Sequence, residues 1–296
     1  MQDINFEQYK FFNEVAKHGS FSKAAKALYV SQSAVSQSIK SLEEKLGQPL
    51  FIRTTKSVRL TRAGELLFSH VDPALKLITQ GQQRITEENT LERGQLRIGA
   101  PDTICRYFLL PYLHLFHKAY PGVSIKVTNQ TSLKCVDLLS SGDVDCIITN
   151  TPNSRLTSEH AVKRITSFSD IFIAGNQYHE LENKILSLSE LLEYPILMLD
   201  RGSSTSEFLH DIFLKNQLQF SPEIELGSND LLIELAKINL GIAVVPDYCL
   251  QKQSPELFVV KTKTRLPKRY LIAATSSLVP NSPVVEAFLN LLPEFL

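Results

Sequence analysis

The sequence predicts a mixed fold: an all-α amino-terminal domain with a small β wing, one long linker helix, and a two-part α/β region filling the rest of its 296 residues. Three observations carry this. Ser20 to Gly47 reads as two short helices joined by a tight turn; Thr61 to about Asn89 keeps one helical pattern throughout; and past "LERGQ" short β-rich runs alternate with helical ones. Strand and helix in alternation build a parallel or mixed sheet covered on both faces.

In "SFSKAAKALYV", Ser22 is a cap candidate, and Ala24, Ala25 and Leu28 put small or apolar groups where a second helix must come close. The turn falls at Tyr29 and Val30, where a left-handed residue is expected and an aromatic side chain fits less easily than Asn, Asp or His. Ser31 is the next cap candidate. Val35, Ile39, Leu42 and Leu46 then recur at intervals of four, three and four, a stripe that faces a core. The opposite face, near the helix start, offers Gln32, Ser33, Ser36, Gln37 and Lys40, groups that reach base edges in a major groove. Taken alone, an ordinary amphipathic helix pair in an all-α domain would read the same way.

The segment that follows narrows the choice. Phe51 and Ile52, then Val58 and Leu60, form two short strands around a polar tip of residues 53–57, which completes a winged helix-turn-helix. Arg53, Lys56 and Arg59 on the wing suit phosphate or minor-groove contact. The candidate DNA-binding residues are therefore Ser31, Gln32, Ser33, Ala34, Ser36, Gln37, Lys40, Arg53 and Lys56. "GSFSKAAKALYVSQSAVSQSIKSLEEKLGQPLF", followed by "R" and then "LTRAGE", resembles the amino-terminal signature of the LysR-type transcriptional regulators over most of the first 65 residues. Charge agrees: residues 1–66 hold 10 Lys and Arg against 6 Asp and Glu, a net of +4, so with a total of +0 the remainder carries −4.

A hydrophobic fraction of 43% supports a sizeable core, and no run of eighteen apolar residues suggests a membrane span. "MQDINFEQYK" is polar where a secretory signal would be basic and then apolar, so cytoplasmic residence is expected. Cys105, Cys135, Cys146 and Cys249 form no CxxC pair, which fits thiols in a reducing compartment better than a disulfide frame. Redox sensing by one of them stays open.

From the cap candidate Thr61, the long helix would run ~28 residues, about 42 Å. Leu67, Val71, Ala74, Ile78, Gly81 and Ile85 space out as a heptad seam that wants a partner helix, with Pro73 as a point of kinking or splitting. An intramolecular linker packed on its own domain is the other reading. The resemblance implies a homodimer or homotetramer paired through this helix, binding an interrupted palindrome in double-stranded promoter DNA.

In the remainder, "LRIGA", "SIKVTN", "CIITN", "DIFIA", "PILML", "GIAVVP" and "YLIAA" read as strands. Residues 108–119, 133–141, 205–215 and 230–238 read as helices, and the alternation breaks between about Thr149 and Ser169, giving two α/β halves. The resemblance implies a periplasmic-binding-protein-like effector domain over 92–296. Its subdomain I would span 92–150 and 270–296, its subdomain II 151–269, and a helix near Pro283 to Leu292 would pack back on the first. The winged domain is assigned to 1–61 and the linker to 62–90.

Ligands of such folds sit where strand ends meet helix starts. Three such corners are polar: "GAPDTIC" with Asp102 and Thr103, "NQTS" with Thr131, and "DRGSSTS" with Ser203, Ser204 and Thr205, where hydroxyls and helix N–H groups favour an anion. Plain helix capping would select the same residue types. Co-occurrence around one cleft, with the resemblance, makes these six the effector-binding candidates. Asp102 opposes a simple anion and would suit an amine.

His114 and His117 have no third ligand at metal spacing, and Asp143 and Asp145 read as turn caps left to solvent. GxSxG, HExxH, GxxxxGK[ST] and GxGxxG are absent, so hydrolase and nucleotide readings have no anchor. The expectation is a regulator without catalytic residues, cofactor or metal. A small metabolite, in particular an organic acid, would control it, and cleft closure would alter DNA bending and access of RNA polymerase. The alternatives are a ligand-binding or enzymatic α/β domain fused to a DNA-binding domain, and a ligand-independent architectural DNA binder.

Overall fold

The computed structural model describes residues 5–53, 58–86, 91–250 and 255–294. The chain divides into two compact units, Met1–Thr86 and Glu87–Leu296.

The amino-terminal unit begins with α1 (Phe6–His18), α2 (Phe21–Ala27) and α3 (Gln32–Leu46), continues through the antiparallel pair β1 (Phe51–Arg53) and β2 (Val58–Leu60), and ends in α4 (Arg62–Thr86). The spacing read from the sequence builds its core: Phe12, Val15, Phe21, Ala24, Ala25, Val35, Ile39, Leu42, Leu50 and Phe51 are buried together. Ser31 caps α3, accepting from Ala34 N–H at 3.2 Å. The cap of α2 is Ser20, which accepts from Lys23 N–H at 3.4 Å, and not Ser22, which is the second residue of the helix.

Tyr29 takes φ +57° in the turn and its side chain is 96% exposed, so no packing offsets the left-handed backbone. Tyr29→Asn is therefore expected to stabilise this unit by up to about 1 kcal/mol, read as a shift of the chemical denaturation midpoint; an unchanged or lower midpoint would mean that the turn is unstrained.

Thr61 caps α4 as expected: it accepts from Gly64 N–H at 3.0 Å and donates to Pro49 O at 2.7 Å. The glycine of "LTRAGE" has a steric reason, since a Cβ at Gly64 would stand 2.2 Å from Leu50 O. The helix passes Pro73 as one element. The heptad seam is corrected in its first half: Val71 is buried in the winged core and the half-buried Leu67 packs against it, so the domain's own core covers much of this stretch. Ala74, Ile78 and Gly81 remain exposed, and the side chain of Ile85 lies outside the described residues. Lys17 pairs with Asp72 at 2.8 Å, tying α1 to α4.

The second unit runs β3 (Gly94–Ala100), α5 (Asp102–Ile104), a π-helical turn over Cys105–Leu109, α6 (Leu110–Ala119), β4 (Val123–Asn129), α7 (Ser132–Ser140), β5 (Cys146–Thr151), β6 (His160–Phe168) and β7 (Asp170–Gly175). Then come β8 (Ile185–Leu186), α8 (Leu188–Leu191), β9 (Ile196–Leu199), α9 (Ser204–Lys215), β10 (Ile224–Leu226), α10 (Asn229–Lys237), β11 (Ile242–Pro246), β12 (Leu257–Thr262), β13 (Arg269–Ser276) and α11 (Pro283–Leu291). Two sheets result, ordered β4-β3-β5-β13-β6 and β10-β9-β11-β7-β12-β8. In each, parallel strands meet antiparallel ones: β3 pairs in parallel with β4 and β5, and β9 with β10 and β11, while β13 runs antiparallel to β5 and β6, and β7 to β11 and β12.

Each sheet has its own core. Leu96, Ile98, Phe116, Ile148 and Leu271 pack with Val284, Val285 and Phe288 of α11, which returns to the first lobe as the resemblance implied. Phe172, Met198, Leu209, Phe213, Ile242 and Val244 pack in the second. The crossing point is corrected. Strand β6 pairs with β13 in the first sheet, so the chain leaves the first lobe between Phe168 and Asp170 instead of near Thr151, and residues 151–168 belong to subdomain I. Mixed polar and apolar residues along β6 hid this strand, because it lies at a sheet edge with one side open to solvent.

Candidate functional site

The candidate DNA-contacting surface is the first turns of α3. Ser31, Gln32, Ser33, Ala34, Gln37 and Lys40 are exposed on it, Ser36 is half-buried, and Val35 and Ile39 anchor the opposite face at 0% exposure. The Ser31 and Ser33 hydroxyls are 2.9 Å apart. Arg53 is more constrained than a wing-tip cation. Its guanidinium stacks 4.5 Å from the Phe21 ring centroid, donates to Ser36 Oγ at 3.4 Å and meets Glu43 at 3.5 Å. Glu43 also accepts Leu50 N–H at 2.7 Å and Phe51 N–H at 3.2 Å, so this carboxylate joins the recognition helix to the first wing strand. Lys56 and the tip around it lie outside the described residues.

In the second unit a cavity of about 300 Å³ opens between the lobes. Asp102, Thr103, Thr131, Ser203, Ser204 and Thr205 all line it, so the fold brings together the three corners singled out in the sequence. Sequence reading missed Asn129, Asn150, Asp200, Asn229 and Tyr248, which line it too. Asn229 directly follows the cap Ser228 at the start of α10, a fourth corner of the kind already recognised. Nothing local marks Asn150, which sits inside an apolar strand.

Three helices of nine residues or more begin at the cavity: α7 capped by Thr131, α9 by Ser203 and α10 by Ser228. Each cap side chain accepts only the third N–H of its helix, at 3.4, 3.1 and 3.4 Å. The earlier N–H groups have no acceptor within their own helix, and the positive ends of the helix dipoles converge there.

Behind α9 lies Arg269, 1% exposed, the first residue of β13. It donates to Asp170 at 2.9 Å, Thr205 Oγ1 at 2.9 Å, Ser204 Oγ at 3.2 Å and Thr151 O at 3.0 Å, between the rings of Phe168 and Phe208. Burial pushes the Asp170 carboxyl up while Arg269 opposes it, and the contact at 2.9 Å has the geometry of an ion pair. The consequence for the cavity is directional. Arg269 only donates, so Ser204 and Thr205 accept from it and must turn their own protons elsewhere, leaving both as donors.

The lobes also touch across the cleft. Asn229 Nδ2 donates to Thr103 Oγ1 at 2.9 Å, while Tyr107 Oη and Arg106 donate to Asp230 at 2.5 and 3.1 Å. Burial and the neighbouring Asp230 push the Tyr107 hydroxyl up, so it keeps its proton for that bond.

The four thiols are unpaired, and burial raises Cys105 to about 11 and Cys135 to about 12, which keeps both protonated at neutral pH. Among the described residues, no cluster of three or more His, Cys, Asp or Glu is arranged to hold a metal, and no helix is long and apolar enough to cross a membrane. Asp145 is not a solvated cap: it forms a close pair with Arg97 at 2.6 Å and also accepts the Arg97 backbone N–H at 2.9 Å.

Comparison with known proteins agrees with both surfaces. Residues 6–65 match the bacterial regulatory helix-turn-helix proteins of the lysR family, and residues 89–296 match the LysR substrate binding domain. The chain is 28% identical over 250 residues to the HTH-type transcriptional activator CmpR of Synechocystis, covering 84% of this chain and 81% of that one. It is 25% identical over 299 residues to the HTH-type transcriptional regulator IlvY of Escherichia coli, covering 98% and 99%. Among solved structures, full-length OxyR of Pseudomonas aeruginosa superposes with a TM-score of 0.68 at 20% identity, covering 98% and 95%. Full-length CbnR complexed with its target DNA superposes with 0.64 at 20%, covering 97% and 98%.

Proposed function

Because the chain belongs to the LysR family of DNA-binding transcriptional regulators, we propose that a small carboxylate-bearing metabolite, held in the cavity between the two lobes, sets when it binds its promoter. The observation that carries this is the convergence of three helix starts with the donor hydroxyls of Thr103, Ser204 and Thr205 on one cavity. An anion there gains from N–H groups and dipoles that water alone would otherwise satisfy. The volume of about 300 Å³ is at the small end for ligand pockets, which favours a compact metabolite.

At the other unit, Ser31, Gln32, Ser33, Ala34, Ser36, Gln37 and Lys40 read base edges and adjoining phosphates, with Arg53 bracing Ser36 and Lys56 supplying a cation for phosphate. Few side chains reach the bases from one copy. A homodimer or homotetramer on an interrupted palindrome multiplies that discrimination, and among the described seam residues Ala74, Ile78 and Gly81 of α4 are exposed for pairing. Ligand-dependent change in lobe closure then alters the spacing of paired winged domains and access of RNA polymerase, in the cytoplasm and without catalysis.

Calorimetry with a panel of small carboxylic acids, amino acids included, tests the cavity. Thr103→Val and Ser204→Ala each remove one donor and are expected to weaken the binding acid by about 3- to 10-fold. A tight ligand indifferent to both substitutions would put the site elsewhere, and product formation on incubation would favour an enzyme fused to a DNA-binding domain.

A further inference from the structure

The charge of the cavity wall does not suit an anion alone. Among the described residues that line it are two carboxylates, Asp102 and Asp200, and no Lys, Arg or His. The nearby Arg269 is neutralised by Asp170 and does not face the cavity. Two amide side chains more than nine-tenths buried add acceptors: Asn229 at 5% exposure and Asn150 at 7% each keep a carbonyl oxygen, Oδ1, with no hydrogen-bond partner. Asn229 Nδ2 donates to Thr103 Oγ1 across the cleft, and Oδ1 is the end left over. Unpartnered buried acceptors are costly, on the order of 1–3 kcal/mol each; both residues line the cavity, so an occupant that brings donors relieves that cost.

The cavity therefore has two opposite demands. The starts of α7, α9 and α10, with the protons of Ser204 and Thr205, ask for an anionic group. Asn229 Oδ1, beside Thr103, asks for a donating group and Asn150 Oδ1 adds to that demand; Asp102, which lines the same cavity and accepts from Asn129 Nδ2 at 3.3 Å, favours a cationic one. A primary ammonium carries three donors and one positive charge; a carboxylate carries the matching acceptors. We infer that the effector of this protein is a zwitterionic α-amino acid, its carboxylate toward the α9 helix start and its ammonium toward Asn229 and Asp102. This rests on the reading of the cavity as the effector site, and it excludes the simple organic acids that an anion-binding helix start alone would admit. Asp102, out of place in an anion site, becomes the residue that selects the amine.

The test uses the full-length chain and isothermal calorimetry with the standard L-amino acids, each accompanied by its deaminated acid and its decarboxylated amine. At least one amino acid is expected to bind saturably, and both of its singly charged analogues to bind about tenfold or more weaker, the worth of one charge-assisted hydrogen bond. Asp102→Asn, which keeps shape and removes charge, is expected to weaken the amino acid by a similar factor while leaving its deaminated acid unchanged or slightly tighter. A deaminated acid that binds as well as its amino acid, or binding of acids and of no amino acid, overturns the zwitterion while the effector cavity stands, provided Thr103→Val or Ser204→Ala still weakens that acid. An amino acid whose affinity ignores Asp102→Asn, Thr103→Val and Ser204→Ala overturns both readings of the cavity. Silence from every amino acid overturns the zwitterion.

Discussion

Replacing Arg269 by Met is expected to lower the thermal midpoint of the carboxy-terminal unit by on the order of 10 °C, the largest stability loss of any single substitution considered. The residue is 1% exposed and four of its N–H groups are bonded, to Asp170, Thr205, Ser204 and Thr151. Its removal leaves the Asp170 charge buried without a counterion, a change that costs about 3–5 kcal/mol. In a domain of this size each kcal/mol lowers the midpoint by about 2–4 °C. The accompanying double variant Arg269→Met with Asp170→Leu removes both charges together and is expected to recover much of the loss, because the pair itself is worth little against an apolar replacement of similar volume. Scanning calorimetry reads both. A midpoint for Arg269→Met within 2 °C of the parent, on the same scale, would mean that losing Arg269 leaves no uncompensated buried charge at Asp170.

The second large effect is on DNA. Gln32→Ala combined with Gln37→Ala removes two exposed amide side chains from α3 and is expected to weaken binding to a duplex selected by the parent protein by about 2–6 kcal/mol. Both sites are on the surface, so thermal stability should change by no more than about 0.5 kcal/mol. The dependence of affinity on salt should keep its slope, since no phosphate-neutralising charge is lost. Fluorescence anisotropy at several salt concentrations separates the two kinds of contact. Unaltered affinity and sequence preference would show that this face does not read bases; a flattened salt slope would mean that it holds phosphates instead.

The structure shows why some of these residues were visible in the sequence and others were not. The recognition helix was legible because its requirements are local: Ser31 caps it, and a core stripe at intervals of four and three fixes which side chains are left facing out. The same logic found Thr131 and Ser203 to Thr205, since helix caps and ligand-binding helix starts draw on the same few residue types. Arg269 was not legible. In "LPKRY" it reads like its neighbour Lys268, and only the pairing of β13 with β5 and β6, followed by the approach of Asp170 and α9, buries it. Leu67 and Val71 failed in the opposite direction. Their spacing is that of a heptad seam, but spacing says only that a face is covered, and here the cover is the domain's own core. Strand β6 escaped notice because an edge strand with one wet side carries too few apolar residues to stand out.

The winged domain, the long helix, the α/β alternation and the family are all written in short-range patterns of period, capping and motif. The tertiary structure alone decided what the cavity asks of its ligand. Donors from three helix starts and acceptors from Asn150 and Asn229 come from segments distant in the chain, and whether a side chain is satisfied or left waiting depends on which distant group folds against it. Hydrogen-bond demand is a property of the assembled wall, and no local pattern encodes it.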